Sequence, residues 1–144
     1  MKRTKAVLDS DTMIFRVHKY VPKWTLWEET EDNGTRKYFL EYQKEHGAAR
    51  TVDLKTPVMT AKLRYMRDYQ PELLQELLNS GKLYLYLLRL NGKVEKAIDR
   101  QMQLWQETDK EYLAAADDFL KQFAILQRFR MEAEHMLFET MVYV

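Results

Sequence analysis

The predicted fold class is α+β, mainly α: an N-terminal β-hairpin or small meander packed on a C-terminal bundle of four to five helices. Three observations on the 144 residues predict it. Asn33-Gly34 stands between two runs rich in β-formers, the pattern of a hairpin. From Thr60 onward, apolar residues recur at steps of three, four and seven, the period of amphipathic helices. Four Gly and three Pro leave little material for linkers, so residues 1–144 read as a single domain. Within it, residues 12–55 form a β-rich part and residues 57–143 a helical part.

In the β-rich part, Thr12 to Val21 favours extended structure and stops at Pro22. Trp24–Thr30 and Thr35–Tyr42 flank Glu31-Asp32-Asn33-Gly34. Asn and Gly both tolerate the positive φ of a type I′ turn, so they are expected to form the turn itself. Along the second arm Tyr38, Leu40 and Tyr42 share one face, and Lys37, Phe39 and Glu41 the other. The Thr12–Tyr20 segment is the candidate third strand of a meander. A two-stranded ribbon alone is marginal in water, so the aromatic face is expected to lie on the helices. His46 to Thr56 reads as a connector opened by Gly47. Trp24, Trp27, Tyr38, Phe39 and Tyr42 are read as core and cross-strand pairs; a platform for stacked bases is the alternative.

The helices follow from caps and periods. Thr60 is the expected N-cap of a helix through Tyr69. Pro71 forbids a smooth continuation and opens the next helix, Pro71–Asn79, which Asn79-Ser80-Gly81 ends. A third helix runs from Lys82 to Gln106 with Leu83, Leu87, Leu90, Val94, Ile98 and Trp105 on one face. It passes through Asn91-Gly92, where a break into two helices is the alternative. Thr108 and Asp109 cap a short helix through Ala116, and Asp117 caps a final one to about Val142. On a wheel that last helix keeps only a narrow polar strip of Lys121, Arg128, Glu132, His135 and Glu139. It is therefore expected at the centre of the bundle or buried in an oligomer. Arg130 and Glu134 fall on its apolar side at i, i+4 and are expected to pair with each other or with another helix.

Composition narrows the chemistry. Cysteine is absent, which excludes disulfides, thiolate metal sites and cysteine nucleophiles. His18, His46 and His135 stand far apart, so no metal is expected. Asp9, Asp11, Asp117 and Asp118 read as caps and turn residues rather than acid–base pairs. The chain holds no Walker A loop, dinucleotide fingerprint or nucleophile elbow, so neither a cofactor nor an enzymatic activity is expected. The first ten residues are basic without the apolar stretch of a signal peptide. No run approaches about 18 apolar residues, so a cytoplasmic location is the expectation.

The net charge of +1 is far from the clear basic excess of an autonomous nucleic-acid binder. The charges are unevenly placed. Residues 61–100 hold eight Lys and Arg against five Asp and Glu, and residues 101–144 four against eight. Arg89, Lys93, Lys96 and Arg100 recur at steps of four, three and four along roughly 16 Å of helix. Lys62, Arg64 and Arg67 make a second basic patch. These seven residues are the candidate partner-binding residues, although solvated helix faces carry similar patterns.

The stretch from Leu63 to Tyr84 carries Leu63-Arg64-Tyr65, then Pro71, then Leu78-Asn79-Ser80-Gly81-Lys82-Leu83-Tyr84. It resembles the TnpV-type transposon-encoded proteins, and Arg130 to Tyr143 looks like the closing helix of the same family. The resemblance covers about residues 57–143 and leaves the N-terminal third outside. It implies a mobile-element context and an accessory or excisionase-like role, and supplies no catalytic residues.

Three functions are compatible with these readings. The first is a non-enzymatic accessory or inhibitory protein that docks on another protein, such as an element recombinase or a host nuclease of the kind anti-CRISPR proteins target. The second is a DNA-binding accessory of recombination or excision. The third is a structural helical oligomer whose last helix is shared between copies. A protein partner is thus the first expectation, with nucleic acid and a second copy of the chain behind it, and no membrane.

Overall fold

Six strands precede five helices and a short π-helical end in the computed structural model, which describes residues 2–14, 20–44 and 48–144. The strands are β1 (Arg3–Asp9), β2 (Thr12–Ile14), β3 (Tyr20–Pro22), β4 (Trp24–Thr30), β5 (Arg36–Tyr42) and β6 (Arg50–Leu54). The helices are α1 (Pro57–Tyr69), α2 (Pro71–Asn79), α3 (Leu83–Thr108), α4 (Lys110–Ala114) and α5 (Phe119–Leu137), followed by the π-helical turn Phe138–Val142. The fold is α+β, mainly α. The chain divides into two compact units, Met1–Arg89 and Leu90–Val144. That boundary falls inside α3, not where strands give way to helices.

In the first unit β1, β4, β5 and β6 form one antiparallel sheet in the order β1-β4-β5-β6. The β4–β5 hairpin is the expected one, with Leu26 opposite Leu40 and Glu28 opposite Tyr38. Its turn differs from the type I′ expectation. The Gly34 amide bonds the Glu31 carbonyl, so Asp32 and Asn33 are the central residues. Gly34 follows them at φ +86° and turns the chain back into β5. The Thr35 amide, bonded to the Asn33 side chain, reinforces this longer loop.

Three further features of the sheet differ from the sequence reading. The third strand beside the hairpin is β1; of the expected Thr12–Tyr20 strand, Thr12–Ile14 and Tyr20 belong to the separate β2–β3 ribbon, and residues 15–19 lie outside the described residues. A register shift between Ala6 and Leu8 leaves Val7 and Leu8 both half-buried against the core, which removes the simple alternation of a strand. Residues 50–54, within the expected connector, form edge strand β6, with Val52 opposite Leu40 and Leu54 opposite Tyr38. Gly47 and His46, at the start of the expected connector, lie outside the described residues.

The inner sheet face carries Leu26, Tyr38, Leu40 and Leu54, which join Met59, Leu63 and Met66 of α1 and Leu74 and Leu78 of α2 in one core. Leu83 and Leu87, from the first turns of α3, complete it. The aromatic face therefore lies on helices, as its alternation requires. Trp24 packs on Tyr42 at 4.8 Å, while Trp27 and Phe39 stack at 6.2 Å. These aromatics are core and cross-strand pairs.

Helix α1 begins one turn before the expected Thr60. Thr56 caps it, its hydroxyl accepting from the Met59 amide, and Pro57 takes the first turn, where no amide is needed. α2 has the expected limits, and Gly81 at φ +73° ends it, with the Lys82 amide bonded back to the Leu77 carbonyl. α3 is unbroken through Asn91-Gly92.

In the second unit, Val94 and Ile98 are fully buried. Ala115, Ile125 and Phe129 form a core with Met102, Trp105, Tyr112 and Leu126. Asp109 caps α4 as expected, whereas Thr108 is the last residue of α3. Asp118 caps α5 in place of Asp117. α5 is not central. Only Ile125, Phe129 and Ala133 are buried along it, while Phe119, Leu120, Phe123, Met131 and Met136 face solvent. The unit covers one arc of this helix and leaves most of its apolar circumference bare.

Candidate basic docking face

An α-helix returns to the same side every three or four residues, so Lys93, Lys96 and Arg100 emerge together from α3. They are exposed because the opposite arc, Val94 and Ile98, is buried in the second unit. Their span is about 10 Å at ~1.5 Å per residue. Arg89, also exposed, closes the first unit.

The acids interleaved with these cations are directed elsewhere. Glu95 accepts from Arg130 at 3.0 Å and Asp99 approaches the same guanidinium at 3.9 Å. Glu134 completes the cluster, accepting from Arg130 Nε at 2.7 Å. The pairing expected for Arg130 and Glu134 is therefore present, with α3 contributing two more acids. Partial burial alone would lower the Arg130 pKa; the hydrogen bonds it donates to Glu134 and Glu95 outweigh that and raise it. Among the described residues no ion pair or hydrogen bond engages Lys93, Lys96 or Arg100, so their charge acts outward.

The second basic patch is organised differently. Lys62 is only 2% exposed, with its ammonium 5.2 Å from the centre of the Tyr65 ring. Desolvation lowers its pKa. Arg67 reaches Glu28 at 3.0 Å, and Lys5 approaches that carboxylate from β1 at 3.7 Å. Glu28 is 2% exposed on the inner sheet face. Burial by itself would raise its pKa, but the neighbouring Tyr38 hydroxyl, Lys5 and Arg67 together bring it below the ordinary value. Arg64 is exposed. Arg67 thus ties the sheet to α1, Lys62 is buried, and Arg64 is the exposed residue of the three, its guanidinium near the Tyr38 hydroxyl.

Asp9 and Asp11 also have structural work. Asp9 accepts from the Thr25 hydroxyl at 2.9 Å, and the Asp11 amide donates to Asn79. Sequence reasoning did not find Glu28 as the hub of Lys5 and Arg67, because its partners lie 23 and 39 residues away. Among the described residues, no group of three His, Asp or Glu is placed to hold a metal ion. His135 is exposed, and His18 and His46 lie outside the described residues. Among the described residues, no helix is long and apolar enough to cross a membrane. The candidate site is a cationic helix face on an α+β scaffold, and no family model, curated protein or solved structure matches the chain.

Proposed function

We propose that this chain is a non-enzymatic accessory or inhibitory protein of a mobile element that works by docking on an acidic protein surface. The observation that carries the reading is the outward charge of Lys93, Lys96 and Arg100, whose neighbouring acids Glu95 and Asp99 turn to Arg130. An acidic partner supplies the counter-charge that the chain itself withholds, speeding encounter and fixing register. The resemblance of residues 57–143 to TnpV-type proteins supports the mobile-element setting. Within that setting the partner class is the element's recombinase or a host nuclease, the latter as in anti-CRISPR inhibition.

The test uses the full chain as bait against extracts of a host carrying the element, beside the variant Lys93→Glu/Lys96→Glu/Arg100→Glu. The expected result is a protein held by the wild type and weakened about tenfold or more by the variant, with helix content unchanged. Equal retention by both returns the face to solvent. The same cations could follow DNA phosphates, and a salt titration with nonspecific duplex separates that reading. Binding at low salt that falls steeply as salt rises would replace the protein partner with nucleic acid.

A further inference from the structure

We propose that α5 pairs antiparallel with α5 of a second copy of the chain, about a two-fold axis near residues 129 and 130. The inference is independent of the α3 face, since it uses α5 and the start of the turn that follows it, where Phe138 is half-buried. Leu120 and Met131 are 77% and 71% exposed, and Phe119 and Phe123 stack on each other at 6.4 Å in solvent. Large apolar side chains left exposed along one helix mark an interaction site.

The occupant follows from two rows on the helix. Leu120, Gln127, Met131 and Phe138 recur at steps of seven, four and seven. Beside them Lys121, Arg128, Glu132 and Glu139 recur at the same steps, one residue later. Each row is its own mirror. Leu120 and Phe138 are equidistant from residue 129, as are Gln127 and Met131; Lys121 and Glu139 are equidistant from residue 130, as are Arg128 and Glu132. An isologous contact places residue i of one copy against j of the other and j against i. An antiparallel pair therefore sets Leu120 on the other copy's Phe138, Gln127 on its Met131, and each cation of the second row on an acid. Cations occupy the N-terminal half of that row and acids the C-terminal half, so a parallel pair would set like charges together.

The surface shape agrees with this register. A groove of about 260 Å³, lined by Met131, Glu134, His135, Phe138 and Tyr143, opens at the end of α5 where the other copy's Leu120 arrives. Arg128 now meets Glu111 at 3.4 Å and Glu132 at 3.8 Å; both contacts are exposed and weak enough to exchange.

Sedimentation equilibrium of the full chain across a wide concentration range tests the pair. A dimer is expected, weakened about tenfold or more by Leu120→Glu or Met131→Glu. Both positions are exposed, so circular dichroism should stay at the wild-type level. Lys121→Glu alone should weaken the dimer, and adding Glu139→Lys should restore it. The natural chain has no cysteine, so single-cysteine variants report orientation directly. Gln127→Cys should cross-link to Met131→Cys in a mixture, faster than either to itself. A monomer at every concentration, a dimer indifferent to Leu120→Glu and Met131→Glu, or preferential like-with-like cross-linking would each overturn the proposal. None of these outcomes bears on whether Lys93, Lys96 and Arg100 hold a partner.

Discussion

At Glu28 a carboxylate sits on the inner face of a sheet, where an unpaired charge is costly. Lys5, one strand away on β1, and Arg67, on α1, surround it beside the Tyr38 phenol. Removing the anion strands Arg67, which is one-third exposed and can turn to water, so the loss is smaller than for a fully buried pair. Glu28→Gln is expected to destabilise the chain by about 2 kcal/mol in urea denaturation. The pH dependence has a definite sign. The folded carboxyl titrates below 4.5, so its contribution is fully present above that value and fades as pH falls through the folded value. Glu28→Gln should therefore flatten the acid limb of the stability curve below pH ~4.5. Burial raises the pKa of Tyr38, and the Glu28 carboxylate beside it adds to the rise.

At the scale of elements, two glycines of similar sequence setting have opposite roles. Gly92 lies inside α3, and a Cβ there would meet nothing within 4 Å. Gly92→Ala is expected to stabilise the chain by about 1 kcal/mol, through helix propensity. Gly81 has φ +73°, and a Cβ there would stand 3.2 Å from the Trp24 indole nitrogen. Gly81→Ala should cost about 1–2 kcal/mol, since it combines left-handed strain with a tight contact. The two shifts in urea midpoint should have opposite signs. Where a local signal existed, the elements were legible: the Asn33-Gly34 hairpin, Pro71 opening α2, Gly81 closing it, and the unbroken period of α3. β1 was not, because its bulge at Val7 spoils alternation, and β6 was too short to rise above its loop-like surroundings. α5 shows the reverse failure. Its sequence is apolar nearly all round, yet a period cannot say how much of a helix the rest of the chain will cover. The basic residues of α3 were legible as a stripe; the direction of Glu95 and Asp99 was not, since it depends on Arg130 some 35 residues away.

Over the whole molecule, burial is unequally shared. The first unit surrounds β4 and β5 with strands on both sides and packs them on α1 and α2. The second unit leaves the first turns of α5 and much of α4 open to water. Native-state hydrogen exchange should find the slowest amides in β4 and β5, and markedly faster exchange from Phe119 to Phe123. Equal protection of the two segments would contradict this ordering in the isolated chain. Charge is divided as well. Residues 1–89 hold sixteen Lys and Arg against twelve Asp and Glu, and residues 90–144 seven against ten. The α3 cations are thus a local positive face on an acidic unit, and salt should weaken their docking more than it weakens the fold. The packing of Trp105 on Phe129 at 5.4 Å has an optical consequence. Trp24 and Trp27 belong to the first unit and Trp105 is the one tryptophan of residues 90–144. A chain with phenylalanine at 24 and 27 would emit from the second unit alone, so loosening of that core becomes visible as a red shift in its own fluorescence.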